Sequence, residues 1–404
     1  MADVTIEAAA HSASFIIANR GCVFWTTSLI GYVIYVDANN DLVYRKTTDG
    51  GVNWSAANAL VTGTVFAYDC WADWQTKDDA GTKIHFACVD DSSDDILYGY
   101  LDTSDDSEYT GKIEDCQGTG AIYVGIERII HYISIAKTRG GNLAVACRYR
   151  DANATATYFY IFYTSPDGAT WTSKTSPWEA ANADYILLFP ANLVDNQDLW
   201  GVFWDASANE ISLKTYDNSN NDWTTIAEAS IATSMAEAVY YLQMDGVIRL
   251  SDGHLLLAAW NLYDNVTSDL MTWDITDAGT ITGKGGILTD SAESFLVSLF
   301  INQNTNDVYA AYAKGTAVLD LVAIFYKKST DGMATWGGET AMQADAEGDE
   351  RWISCGAVKA AWGGKFQPVW FNDDLNDMFT NVDNGISIAA AGGILRQMME
   401  HEGG

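Results

Sequence analysis

"KSTDGMATW" (residues 328–336) has two near-copies far away in the chain, "KTTDGGVNW" (46–54) and "TSPDGATW" (164–171). Each places a Ser or Thr two residues before an Asp-Gly pair and a Trp three or four residues after the glycine. In such a turn the aspartate accepts hydrogen bonds from nearby backbone N–H groups, and glycine supplies the φ > 0 position. The Trp then buries its ring against a neighbouring sheet. The repeated peptide therefore specifies a hairpin and needs no ligand to explain it.

Around each copy the same grammar recurs: a strand-like run, a turn, a second run ending near Asp, a third run, the Trp-capped turn, and a short fourth run. Residues 31–54 and 141–171 show it fully, and 308–336 repeats it. Weaker copies occupy 84–106, 199–223, 255–280 and 366–385. The turn after the third run falls at positions 49, 102, 167, 217, 275, 331 and 383, at intervals of 50 to 65 residues. Four strands of about six residues plus turns fill such a period, the size of a propeller blade. Helical periodicity is nearly absent and β-branched and aromatic residues fill the runs, so the expected class is all-β. The repeats predict a seven-bladed β-propeller of four-stranded antiparallel blades, or six if one weak unit merges with its neighbour. The seventh unit supplies three strands. The segment "VTIEAAAHSASFII" (4–17) is expected to complete that blade and so hide its edge.

At this point the sequence resembles the Asp-box (BNR-repeat) proteins, the sialidase-like β-propellers. Thr47, Asp49, Gly50 and Trp54, then Ser165, Asp167, Gly168 and Trp171, then Ser329, Asp331, Gly332 and Trp336 carry the resemblance. It implies a propeller over residues 1–385, with each box on the hairpin between third and fourth strands, away from the active face. The family includes sialidases, other glycosidases, lectin-like binders and structural domains, so the fold does not choose a function.

Composition narrows the classes. Twenty-two Lys and Arg stand against 54 Asp and Glu, a net charge of -32, so nucleic acid and anionic lipid are not expected partners. No window reaches 18 uninterrupted apolar residues, and the N-terminal stretch lacks the basic and apolar regions of a secretory signal. The expectation is no membrane insertion and no signal-directed secretion.

Six units end their second strand at or beside an acid: Asp37, Asp90, Asp151, Asp205, Asp264 and Asp373, with Trp204 and Trp370 among the aromatics that precede them. One reading is an acidic and aromatic rim that binds glycans; the preferred reading is that Asp opens a turn. Arg20, Arg128 and Arg351 precede or open first strands. By resemblance to a sialidase they would clamp a substrate carboxylate, with Asp151 as acid. Against this, Arg128 is followed by Ile129–Ile130 rather than Ile-Pro, and no Tyr–Glu nucleophile pair is assignable by motif. No metal or cofactor is expected. Residues 217–228 place Asp217, Ser219, Asn221 and Glu228 at calcium-loop offsets, but Asp222 stands where that loop needs Gly, and a degenerate box is preferred. Cys70 and Cys88 would face one another if the hairpin between them centred near Asp79; two buried thiols are preferred to a disulfide.

The end of the chain, residues 386–404, leaves the repeat. "ILRQMMEHE" (394–402) reads as a short amphipathic docking segment or a frayed terminus. Together these features lead to an expected non-catalytic surface or structural module, such as a phage or viral tail, fibre or capsid-decorating protein. It would sit on a virion or otherwise outside the cell, present the propeller to glycans or a host-surface receptor, and join other virion proteins through its C-terminal tail. The alternative is a sialidase-type exo-glycosidase acting on carboxylate-bearing sugars.

Overall fold

The computed structural model describes the chain apart from residues 1–2, 9, 12–19, 94, 116–131, 151–157, 178–185, 206–207, 234, 236–243, 261–269, 289–293, 318–319, 343–349, 360–363, 373–374, 384 and 389–404. Its runs of Val, Ile, Leu and aromatic residues form seven four-stranded antiparallel blades in a propeller ring. Each blade packs between two neighbours, so whole strands are apolar instead of alternating. All six residues of Gly31–Val36 and all five of Ile186–Pro190 are buried.

Blade 1 runs outward as Val23–Trp25, Gly31–Val36, Leu42–Thr47 and Asn58–Val61. The innermost strands of blades 2 to 5 are Val65–Ala72, Tyr132–Lys137, Ile186–Pro190 and Met244–Arg249. Blade 6 comprises Ser294–Asn302, Asp307–Ala317, Asp320–Ser329 and Thr340–Ala341. Blade 7 takes Glu350–Ser354, Val369–Asn372 and Asp377–Thr380 from the end of the chain. Its fourth strand is Val4–Glu7, antiparallel to Asp377–Thr380 with Val4 opposite Thr380. The N-terminal strand therefore closes the ring and covers the edge that blade 7 would otherwise expose.

Blade 7 also contains a detour. Between its first and second strands, Ala357–Val358 lies parallel to Val23–Trp25 and adds a fifth strand to blade 1. Gly364–Phe366 then pairs with Ile386–Ile388, so the chain stays on the propeller for three residues beyond 385. The rest of the C-terminal segment, 389–404, lies outside the described residues. Among the described residues no helix is long and apolar enough to cross a membrane.

The blades are latched at the axis by polar side chains set in apolar strands. Asp69 accepts from Ile135 N at 2.8 Å, Ser134 from Leu188 N at 3.0 Å, and Asp245 from Leu299 N at 2.7 Å. Ser298 accepts from Cys355 N at 2.8 Å and Ser354 from Cys22 N at 2.7 Å. In each case an acceptor near the axis of one blade takes a backbone N–H from the inner segment of the next, and in blades 3, 6 and 7 the donor directly follows that blade's own acceptor. Gly21 takes that position in blade 1, where a Cβ would lie 1.2 Å from Cys355 O.

Each box forms the turn between third and fourth strands. Asp331 Oδ1 accepts from Thr335 N at 2.9 Å and from Ser329 Oγ at 2.8 Å, while Ser329 Oγ accepts from Met333 N. Asp167 Oδ1 accepts from Ala169 N and Thr170 N at 2.9 and 2.8 Å. In the first box Asp49 accepts from Asn53 N and Asn53 Nδ2 at 2.9 and 2.7 Å. Gly50, Gly168 and Gly332 have φ of 76°, 76° and 67°, the left-handed region in which a side chain is strained. Trp171 packs edge-on to Tyr98 of blade 2, and Trp336 donates to Gly285 O of blade 5 at 3.1 Å. These two Trp residues close the core against the preceding blade; Trp54 instead meets Trp25 of its own blade.

The register of blade 2 corrects one expectation. Cys70 stands opposite Phe86 and Cys88 opposite Tyr68, because the ten-residue connection shifts the hairpin centre from position 79 to 78. The two cysteines are diagonal neighbours and free, buried thiols. Burial raises both well above the ordinary thiol value.

Candidate functional site

The predicted acidic rim divides into turn-builders and residues beyond description. Asp37 accepts from Asn39 N at 2.8 Å and Asp41 N at 3.0 Å. Asp90 accepts from Thr64 N at 2.8 Å and from the hydroxyls of Ser92 and Ser93. Burial alone would raise the Asp90 carboxyl, but the hydrogen bonds from Ser93, Thr64 and Ser92 outweigh it and hold it below the usual range. Asp205 accepts from Ala208 N at 3.1 Å. Asp151, Asp264 and Asp373 lie outside the described residues. Trp204 and Trp370 are not on a rim: their exposures are 3% and 1%, inside the packing between blades.

The arginine trio is not assembled in the described residues. Arg20 is buried with its guanidinium wedged between the rings of Trp71 and Phe189, 4.8 and 5.3 Å from their centroids. Its Nη2 pairs with Asp69 Oδ2 and donates to Ile135 O, Nη1 donates to Leu188 O at 2.7 Å, and Nε faces Asp69 at 3.2 Å. Every nitrogen is engaged by the protein, so this arginine stitches blades 2, 3 and 4 instead of presenting a fork to a substrate. Arg351 lies on the first strand of blade 7 opposite Phe371. Arg128, like Asp151, lies outside the described residues.

The calcium-like stretch behaves as a box. Asp217 accepts from Ser219 Oγ at 2.6 Å and Asn220 Nδ2 at 2.7 Å, and these bonds, Ser219 first, hold its carboxyl below the usual range against burial. Glu228 instead joins Asp205 and Glu210, with carboxylate oxygens within 4.8 Å of one another. Glu228 also pairs with Lys214 at 3.1 Å, and Glu210 accepts from Ser230 Oγ at 2.8 Å.

Sequence reading did not find the open groove beside blade 6. It encloses about 520 Å³, within the range of ligand pockets. Tyr326 from the third strand supplies partly exposed aromatic surface beside Tyr309 from the second, which is buried, their centroids 6.2 Å apart and tilted at 52°. Lys328, Thr335, Gly338 and Ser387 complete the wall. Tyr309 is fixed from behind: its hydroxyl donates to Ser387 O at 3.3 Å and its ring meets Phe300, which stacks on Phe366 at 4.2 Å. Lys328 Nζ pairs with Asp307 at 2.6 Å and lies 5.4 Å from the Tyr309 ring centroid. The Asp307 hydrogen bond, partly offset by burial, raises the Lys328 pKa. Trp336 borders the groove but turns its indole N–H toward blade 5. The strand Ile386–Ile388 brings Ser387 to this wall from 58 residues beyond Ser329, which is why no local motif announced the groove. Tyr326, backed by buried Tyr309 and with an ion pair at its edge, offers apolar ring surface and charged hydrogen-bonding groups in one concavity.

No protein-family model matches the chain, and no curated protein matches it. Similarity appears at the level of solved structures. An ulvan lyase from a new family of polysaccharide lyase, bound to -[GlcA(1-4)Rha3S]-, superposes with a TM-score of 0.57 at 9% identity, covering 98% of this chain and 99% of that one. A Hadza microbial sialidase gives 0.51 at 15% identity, covering 78% and 66%. A variant of the Aleuria aurantia lectin, in complex with alpha-methyl-L-fucoside, gives 0.46 at 11% identity, covering 85% and 100%. At such identities the first two likenesses speak for the propeller fold; function has to come from sites.

Proposed function

We propose that the protein is a non-catalytic glycan-binding propeller, displayed on the surface of a virion as a tail, fibre or capsid-decorating protein and anchored by its C-terminal segment. The groove of blade 6 carries the binding part of this reading. The partly exposed Tyr326 ring, backed by buried Tyr309, matches the apolar face of a sugar, and the adjoining Lys328–Asp307 pair and threonine hydroxyls match its OH groups. The ulvan lyase that superposes on this chain is bound to -[GlcA(1-4)Rha3S]-, an analogy of fold that agrees with a glycan ligand. The engagement of Arg20 with Asp69 argues against a sialidase-type carboxylate clamp. The display setting rests on the acidic surface and on the apolar positions of 394–399.

Calorimetric titration with an oligosaccharide panel tests the binding reading. Saturable binding of at least one glycan is expected; none across the panel overturns it. The purified protein is expected to leave a fluorogenic sialoside intact, and turnover abolished by Arg128→Ala would replace this reading with the glycosidase. A chain lacking 389–404 is expected to fold but no longer join its particle; normal incorporation overturns the anchoring.

A further inference from the structure

Among the described residues lining the groove, the only cationic side chain is Lys328. Its ammonium stands 2.6 Å from Asp307, so the local positive charge is already matched. The chain as a whole carries a net charge of -32, and a field of that sign opposes the approach of an anion. The rest of the described wall is tyrosine and tryptophan ring, threonine and serine, and glycine. Resting on the glycan-binding reading above, we infer that this groove selects uncharged sugars and discriminates against sialylated, uronic and sulfated ones.

This selection differs from that of a carboxylate clamp in what it takes from the residues. An acidic sugar would meet an ammonium whose charge Asp307 already balances, and would bring a second anion beside that carboxylate. A neutral sugar brings no such charge. It can rest its CH face on Tyr326 while its hydroxyls bridge Lys328 and Asp307, both of which remain paired.

The experiment is calorimetric titration of the full chain with a neutral oligosaccharide and with its sialylated and sulfated derivatives, at about 20 mM and about 300 mM NaCl. The neutral form is expected to bind at least about tenfold tighter at low salt, with the gap narrowing as salt screens the field. Tyr326→Ala is expected to weaken neutral binding at least about tenfold, and Tyr326→Phe to retain it. Gly338→Tyr serves as a second block: a Cβ there meets nothing within 4 Å, so the variant is expected to fold with the groove filled. Equal or tighter binding of the acidic derivatives overturns the selectivity and leaves glycan binding intact. Neutral binding unaffected by both Tyr326→Ala and Gly338→Tyr overturns the location. No binding by any sugar removes the reading on which the inference rests.

Discussion

Replacing Arg20 by Met separates a structural pin from a substrate clamp. The Arg20 and Asp69 side chains are 4% and 0% exposed, and the guanidinium is held by two backbone carbonyls as well as the carboxylate. Methionine keeps much of the length between Trp71 and Phe189 but leaves Asp69, among the described residues, with Ile135 N and Ser134 Oγ. Removing one partner of a buried, hydrogen-bonded pair costs about 3–5 kcal/mol. At about 2.1 cal/mol/K of unfolding entropy per residue, 404 residues give roughly 0.85 kcal/mol/K, so Tm should fall by about 4–6 °C. Scanning calorimetry of Arg20→Met, Asp69→Leu and the double variant is the assay. The double variant should fall by less than the sum of the single effects, because it strands neither charge. A Tm within about 1 °C of the wild type, together with lost ligand binding or turnover, would refute the assignment and return Arg20 to a ligand site.

Three further outcomes follow from the axis and the turns. Burial pushes the Asp245 carboxyl up to about 7, against the pull of Leu299 N, Gly246 N and the Arg20 charge. A folded-state pKa above the unfolded value near 3.9 means that stability from proton uptake is full below about pH 4 and lost as pH rises to about 7. Wild type should therefore lose ground against Asp245→Asn between pH 5 and pH 8, by an amount on the order of 2–3 kcal/mol; thermal melts showing the same gap at both pH values contradict this. Gly168→Ala puts a Cβ at φ 76°, 2.5 Å from Tyr98 Cε1, and should lower stability by about 2–3 kcal/mol, read by denaturant titration; an unchanged midpoint refutes the turn assignment. Deleting residues 1–9 removes the fourth strand of blade 7 and should yield aggregates on size exclusion, since the edge at Asp377–Thr380 is left unpaired. A monomer of unchanged Tm would show that ring closure lies elsewhere.

Legibility in the sequence followed range. The three boxes were readable because everything they need is within nine residues: an acceptor at Asp331, a φ > 0 glycine at Gly332 and a ring at Trp336. The N-terminal closure was readable by a count, since seven units supplied 27 strands where a closed ring wants 28. The latches carried a faint signal, a single polar residue inside an apolar run, as in "FAYDCWA" (66–72) around Asp69 and "YISIAK" (132–137) around Ser134. A period-only reading passes over such residues as noise. The rim tryptophans went the other way, because an aromatic before an acid is equally consistent with a solvent-facing platform and with the buried side of a blade.

By itself, the sequence determined the strand-and-turn repeat and the chemistry of the hairpins, because these depend on hydrogen bonds and steric limits between near neighbours; the choice of seven blades over six came with the ring. Only the tertiary structure decided that Arg20 lies against Asp69 and the backbone of blades 3 and 4, that Cys70 pairs two residues short of Cys88, and that Ser387 meets Tyr309. Those outcomes depend on how residues tens to more than a hundred positions apart are brought together when the ring closes, and no local propensity encodes that distance.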